Sequence, residues 1–176
     1  MIATSPVAQT RSSKIASFPI RIAARPAMDT WKPSVTVAAV IERDGRFLLV
    51  EEVADGHPVY NQPAGHWEPG ETLVEACARE AVEETAHAFL PLHLTGIYRW
   101  QHAPTGTSFL RFAFCGEVGA ADSRRALDAE ILRAVWLAPE EIRELLPRHR
   151  SPLVMRCIED YLAGRRFPLD LITHLA

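Results

Sequence analysis

Between Glu68 and Glu84 the chain carries six carboxylates and a single basic residue, Arg79. Within this stretch Pro69-Gly70 stop the preceding chain. In Thr72-x-x-Glu75 each side chain can satisfy a backbone N–H that the first helical turn leaves unpaired. The pattern therefore predicts a helix from near Thr72 to about Thr85 or beyond. On it Glu80, Glu83 and Glu84 stand at i, i+3 and i, i+4 and share a face. Leu73, Val74, Cys77, Ala81 and Thr85 are left to cover a sheet. Like charges so spaced repel by about 0.2–0.5 kcal/mol per pair. Two readings account for such crowding. One is a solvated acidic face, common on surface helices. The other is a cluster of hard oxygen ligands whose repulsion a divalent cation such as Mg²⁺ or Mn²⁺ reverses.

Around this helix the pattern is that of strands. Val35–Ile41 is β-branched and apolar, Arg43-Asp44-Gly45-Arg46 supplies a turn, and Phe47–Val50 resumes the apolar run, which reads as a hairpin. Asp55-Gly56-His57-Pro58 reads as a break, and Asn61–Gly65 as loop. Leu92–Trp100 and Phe109–Val118 form a second hairpin about Pro104-Thr105-Gly106. Val135–Leu137 is a short strand. Helices are expected from Pro139 to before Pro147, and from Pro152 to Ala163, stopped by Gly164. Strands mixed with three helices, without repeated crossover units, indicate an α/β fold with a mixed sheet flanked by helices. Along the second strand of the later hairpin, Phe109, Arg111 and Ala113 face one way and Leu110, Phe112 and Phe114 the other.

The stretch Gly65, five residues, Glu71, seven residues, Arg79-Glu80-Ala81-Val82-Glu83-Glu84 resembles the box of the Nudix hydrolases, G-x5-E-x7-R-E-U-x-E-E-x-G-U with U a bulky aliphatic. Trp31-Lys32-Pro33, Asn61-Gln62-Pro63-Ala64-Gly65-His66, Phe109-Leu110-Arg111-Phe112, Ser151-Pro152-Leu153-Val154 and Phe167-Pro168-Leu169 extend the likeness to the NudJ-type phosphatases over nearly all of the chain from Trp31 to Ile172. Ala86 stands where the box has its last Gly, His87 where it has an aliphatic, and Ala81 is small for its position. A Gly there ends the helix in a left-handed conformation, which Ala adopts at a cost of about 1 kcal/mol.

The resemblance implies a Nudix-like α/β/α sandwich. It implies a metal-dependent hydrolase of diphosphate-containing small molecules, among them nucleoside di- and triphosphates and a thiamine-precursor pyrimidine diphosphate, with release of orthophosphate. Glu80, Glu83 and Glu84, with the carbonyl of Ala64, would hold Mg²⁺, with Mn²⁺ as a substitute. Arg79 would orient Glu71 or Glu80, or else pair with Glu75 at i, i+4. Glu130 is the candidate for a loop carboxylate acting as metal-linked base. His66, Trp67, Trp100, His102, Phe109 and Arg111 are candidates for the pocket of a heterocycle, because rings stack on heteroaromatic ligands and Arg grips phosphate. The remaining histidines, His57, His87, His93, His149 and His174, have no metal spacing and are expected at the surface. Competing readings are a Nudix hydrolase that releases pyrophosphate or cleaves another diphosphate linkage, a catalytically silent nucleotide-sensing module, and an RNA 5′-pyrophosphohydrolase.

Length and charge narrow the partners. A chain of 176 residues, 48% hydrophobic and 23% charged, has the make-up of one soluble globular domain. Residues 1–30 hold Arg11, Lys14, Arg21 and Arg25 against Asp29, which leaves 15 basic and 21 acidic side chains beyond them. That balance disfavours duplex nucleic acid and a long RNA. No apolar run approaches the ~18 residues of a membrane span. Three widely spaced cysteines suggest no disulfide framework or zinc site and fit a reducing cytoplasm. Residues 1–27 lack any sustained period and read as a disordered extension ahead of a single domain over 28–176. The oligomeric state is left as monomer or homodimer.

Overall fold

The computed structural model describes residues 31–175; the expectation for 1–27 falls outside them. In chain order the elements are β1 (Ser34–Val40), β2 (Glu42–Arg43), β3 (Arg46–Ala54), β4 (His57–Asn61), β5 (Ala64–His66), α1 (Leu73–Thr85), β6 (His87–Gln101), β7 (Ser108–Ala121), β8 (Ile131–Leu137), α2 (Pro139–Glu144) and α3 (Leu153–Leu162). A mixed sheet has the order β5-β1-β7-β6, with β1 and β7 parallel and the other pairs antiparallel. The second sheet is antiparallel: β3 lies at its centre, β2 and β4 on one side of it and β8 on the other.

The strand β1 has no polar face because both of its faces are covered. Val37 and Ala39 join Phe114, Leu94 and the α1 residues Ala76, Cys77 and Ala81 in one core. Ala38 and Val40 join Ala113, Cys115 and the α3 residues Val154, Cys157 and Ile158 in the other. Alternation along one strand thus makes the helix–sheet–helix sandwich expected from the sequence. The ends of α3 and β6 are tied by Asp160, buried, which accepts from the Tyr98 hydroxyl at 3.0 Å and from Arg156 Nε at 3.0 Å.

Two expectations need correction. The turn at Asp44-Gly45 is real, with φ of 53° and 76° at its centre, but β1 does not pair with β3. The chain leaves the mixed sheet after Val40, and only the two-residue β2 pairs back onto β3. Asp55-Gly56, with φ of 52° and 79°, is a second two-residue turn rather than a break: His57–Asn61 returns along β3 as β4, and Ala64–His66 forms β5. Paired positive φ is the type I′ geometry that suits the twist of a hairpin. Pro58 is tolerated in β4 because the edge away from β3 is paired only by the single bridge of Tyr60 to His149, two residues further on.

Two histidines expected at the surface are not there. His87 is buried, its Nδ1 2.8 Å from the Gly119 carbonyl and its ring edge-on to Trp136, so it fills an aliphatic site with its polar atom satisfied. His149 is half-buried, its Nε2 2.9 Å from the Ile142 carbonyl.

Candidate active site

The helix carrying the carboxylates starts as its sequence dictates. Thr72 Oγ1 accepts from the Glu75 N–H at 3.2 Å, and Glu75 Oε2 accepts from the Thr72 N–H at 2.8 Å. It stops at Ala86, which takes the left-handed conformation at φ 58° and donates its N–H to the Val82 carbonyl at 2.9 Å. Ala thus performs the turn for which Gly is the usual residue. Between these ends Glu80 and Glu84 point past the edge strand β5. A side chain at Gly65 would collide with the Glu80 carboxylate, so that glycine is required for close approach, not for its φ. Next to it, the Ala64 N–H donates to Glu84 Oε2 at 2.8 Å.

Arg79 fastens this face. Its Nε and Nη2 donate to the two oxygens of Glu71 at 3.0 and 2.8 Å. Nη1 donates to Glu80 Oε1 at 2.7 Å and Glu83 Oε2 at 2.9 Å, and Nη2 also reaches the His66 carbonyl at 3.1 Å. The planar fork spans three carboxylates that a lysine could not hold together. Its bonds hold the Glu71 carboxyl below the usual range against the opposing effect of burial. The pairing with Glu75 does not form, because Glu75 is committed to the cap and the i, i+4 partner is Glu83.

Glu80 and Glu84 are each 8% exposed. Burial pushes the Glu84 carboxyl up to about 9, with the Ala64 amide opposing and the charges of Glu52, Glu80 and Asp128 adding to the rise. Glu80 is raised by burial too, which outweighs Arg79. Two buried carboxylates that cannot both ionise comfortably call for protons or a cation. Among the described residues no three acidic, His or Cys side chains are already gathered as an ion-holding group. The donor set nevertheless suits a hard divalent ion: oxygens only, with Glu84 Oε2 oriented by a backbone N–H.

Both carboxylates line a cavity of about 420 Å³. Strand register builds its other wall. Thr36 of β1 pairs with His66 of β5 and Arg111 of β7, and Phe109 of β7 pairs with Trp100 of β6, so these side chains lie in cross-strand rows. Trp100 and Phe109 stack at 5.5 Å, and His102 tilts against Trp100 at 5.4 Å. Arg111 is 8% exposed, with Nη1 3.4 Å from Asn61 Oδ1 and Nε without a partner. Glu130 also lines the cavity, on a loop pinned by Asp128 N–H to the Glu83 carbonyl at 3.1 Å and Val53 N–H to the Glu130 carbonyl at 3.0 Å.

The cavity thus brings together Ala64, His66, Glu80, Glu84, Trp100, His102, Phe109, Arg111 and Glu130 of the residues expected from the sequence. Glu83 and Arg79 stand behind it, joined to one another, and Trp67 is outside it, its Nε1 donating to the Glu71 carbonyl at 2.7 Å. Glu52, Asn61 and Arg150 were not anticipated. For Glu52 a signal existed: in Glu51-Glu52 on a strand one side chain must face opposite to the other. Glu51 takes Arg133 and Arg148 at 2.7 and 2.6 Å, and Glu52 lines the cavity.

Comparison with known proteins adds three findings. Residues 30–157 match the NUDIX domain family. The curated Phosphatase NudJ of Escherichia coli K12 is 44% identical over 142 residues, spanning 81% of this chain and 92% of that protein, and the Shigella flexneri Phosphatase NudJ matches equally. The solved structure of a NUDIX hydrolase from Nitrosomonas europaea superposes with a TM-score of 0.80 at 56% identity, covering 82% of this chain and 98% of that one.

Proposed function

The chain belongs to the Nudix family, and from that premise we propose that it is a Mg²⁺-dependent phosphatase of the NudJ kind, acting on nucleoside di- and triphosphates and on pyrimidine diphosphates. Cleavage of a phosphoric anhydride with the help of a divalent metal is the common chemistry of Nudix hydrolases. The reading for this chain is carried by one observation: buried Glu80 and Glu84 line the same cavity as the Trp100–Phe109 stack.

In this reading Glu80, Glu84 and the Ala64 carbonyl would hold the ion, and Glu83, joined to Arg79 at 2.9 Å, would be a further ligand. Bound there, a divalent ion offsets phosphate charge and lowers the pKa of an attacking water. Arg79 keeps Glu80 oriented through the 2.7 Å bond while Glu71 takes the rest of its fork. Glu130, fixed at its own carbonyl, accepts the proton of the water. Trp100 and Phe109 stack on the heterocycle, His102 borders it, and His66, 2.9 Å from Ser34 Oγ, closes the side near β5. Arg111 on the floor donates to phosphate or to a ring acceptor. The protein acts on small molecules in this account. Its folded part, richer in acidic than basic groups, has little grip on duplex nucleic acid. Among the described residues no helix is long and apolar enough to cross a membrane.

Phosphate release over a panel of nucleotides and pyrimidine diphosphates, with and without Mg²⁺, tests the proposal. Release from diphosphates that stops on chelation is expected. A chain inert on every diphosphate at saturating Mg²⁺ contradicts it.

A further inference from the structure

The cavity presents an electrostatic difficulty for an anionic ligand. Six carboxylates line it: Glu52, Asp55, Glu68, Glu80, Glu84 and Glu130. An ion held by Glu80 and Glu84 leaves the other lining carboxylates to be offset. Among the described residues that line the cavity there is no lysine, and the guanidiniums are those of Arg111 and Arg150. Arg111 is 8% exposed, whereas 44% of the Arg150 side chain is exposed.

Arg150 has a fixed base and a loosely held arm, which also acts on the Glu52 carboxylate. Its N–H donates to the Tyr60 carbonyl at 2.8 Å, His149 before it bridges to β4, and Ser151 after it is buried and caps the Leu153 N–H at 3.3 Å. The guanidinium by contrast has one ion pair among the described residues, to Asp55 Oδ2 at 3.9 Å, and Asp55 is 83% exposed on the tip of the β3–β4 turn. A pair so long and so wet adds little. A phosphate offers more charge and a bidentate face to the same fork.

We propose that Arg150, which lines the same cavity as the α1 carboxylates, grips a phosphate of the substrate, and that Asp55 is the placeholder which the phosphate displaces. The inference rests on the diphosphate reading above and adds a residue that fixes the phosphate chain within the cavity. Arg150 is a positioning residue here, and no bond to it forms or breaks.

The test uses methylenediphosphonate, whose P–C–P bridge cannot be hydrolysed, titrated calorimetrically into the full chain with Mg²⁺. Arg150→Ala weakens binding about tenfold or more, and Arg150→Lys, which keeps the charge but loses the fork, by about threefold. Asp55→Asn has the opposite sign and tightens binding about twofold, since it removes the competitor while Asn accepts the left-handed backbone at φ 52°. In turnover, added guanidinium ion restores part of the KM lost in Arg150→Ala, which a structural role for Arg150 does not allow. Affinity within twofold of wild type in Arg150→Ala, a weaker complex in Asp55→Asn, or no binding by the wild type overturns the proposal. Should Arg150→Ala fail to fold, the Lys and Asp55 variants decide it. Hydrolysis that persists while affinity ignores Arg150 sinks this inference alone, and Arg150-dependent binding without any hydrolysis sinks the phosphatase reading alone.

Discussion

Gly65→Ala isolates the role of the closest approach in the site. The new methyl group overlaps the Glu80 carboxylate, while the backbone at Gly65 is held by pairing with Val37. Glu80 must therefore swing away and give up its 2.7 Å bond to Arg79 Nη1. A charge-assisted bond of this kind contributes about 1.5–3 kcal/mol. Stability changes by less than that, because Arg79 still has both oxygens of Glu71 and one of Glu83. Activity suffers more: displacement of a ligand by about 1 Å costs roughly a hundredfold in rate. The expected result is a kcat/KM lower by about two orders of magnitude, a higher Mg²⁺ requirement and a melting temperature within a few degrees of wild type. Shortening the displaced side chain should restore part of the loss, so Gly65→Ala combined with Glu80→Asp is expected to outperform Gly65→Ala alone. Activity of Gly65→Ala within twofold of wild type would refute the reasoning, since the carboxylate would then not need to sit where the glycine admits it.

Three further outcomes follow from particular residues. Glu84 is raised from the ordinary carboxylate value of 4.5 to about 9, so the metal-free protein holds a proton there at neutral pH. The sign is that of a raised acid: its folded form is favoured below the ordinary value, and stability is lost as pH climbs from there toward 9. Metal binding must release that proton, so Mg²⁺ affinity rises between pH 6 and 9 and calorimetry in buffers of different ionisation enthalpy shows proton release; a pH-independent affinity contradicts it. Ala86→Gly relieves a left-handed alanine and is neutral or raises Tm by up to about 3 °C, whereas a clear fall would mean that the buried methyl group matters more than the backbone. Glu83→Gln abolishes turnover without unfolding the chain, and wild-type rates at saturating Mg²⁺ would remove Glu83 from the ligand set.

The sequence disclosed what depends on neighbours along the chain. The cap at Thr72 and Glu75, the shared side of Glu80 and Glu84, and the alternation that puts Phe109 and Arg111 on one side of β7 are consequences of helix and strand periods. The left-handed stop at Ala86 was less legible, because Ala stands where the box has its glycine and takes that conformation only at a cost. What stayed hidden is set by contacts between distant segments. The strands β4 and β5 are short and carry Pro58, Asn61 and Gly65 in place of an apolar alternation, and their pairing with β3 and β1 makes them strands. Arg79 had acidic neighbours at both i−4 and i+4, and only the cap, which occupies Glu75, decides between them. Glu83 shares the helical face of Glu80 yet is drawn out of the cavity by Arg79. Arg150 enters the cavity because its backbone is joined to Tyr60, ninety residues earlier, and no local pattern announces that.

The proposed phosphatase activity requires that water attack the terminal phosphorus of a diphosphate or triphosphate, which would leave the substrate one phosphate shorter. Which phosphorus lies in line with the water is a matter of how the phosphate chain is held among Glu80, Glu84 and the guanidiniums that line the cavity. Hydrolysis in ¹⁸O-labelled water, with mass analysis of both products, reads this directly. The account predicts one ¹⁸O in released orthophosphate from pyrimidine diphosphate and nucleoside triphosphate alike. Label in released pyrophosphate, or in a nucleoside monophosphate formed directly from the triphosphate, would contradict it.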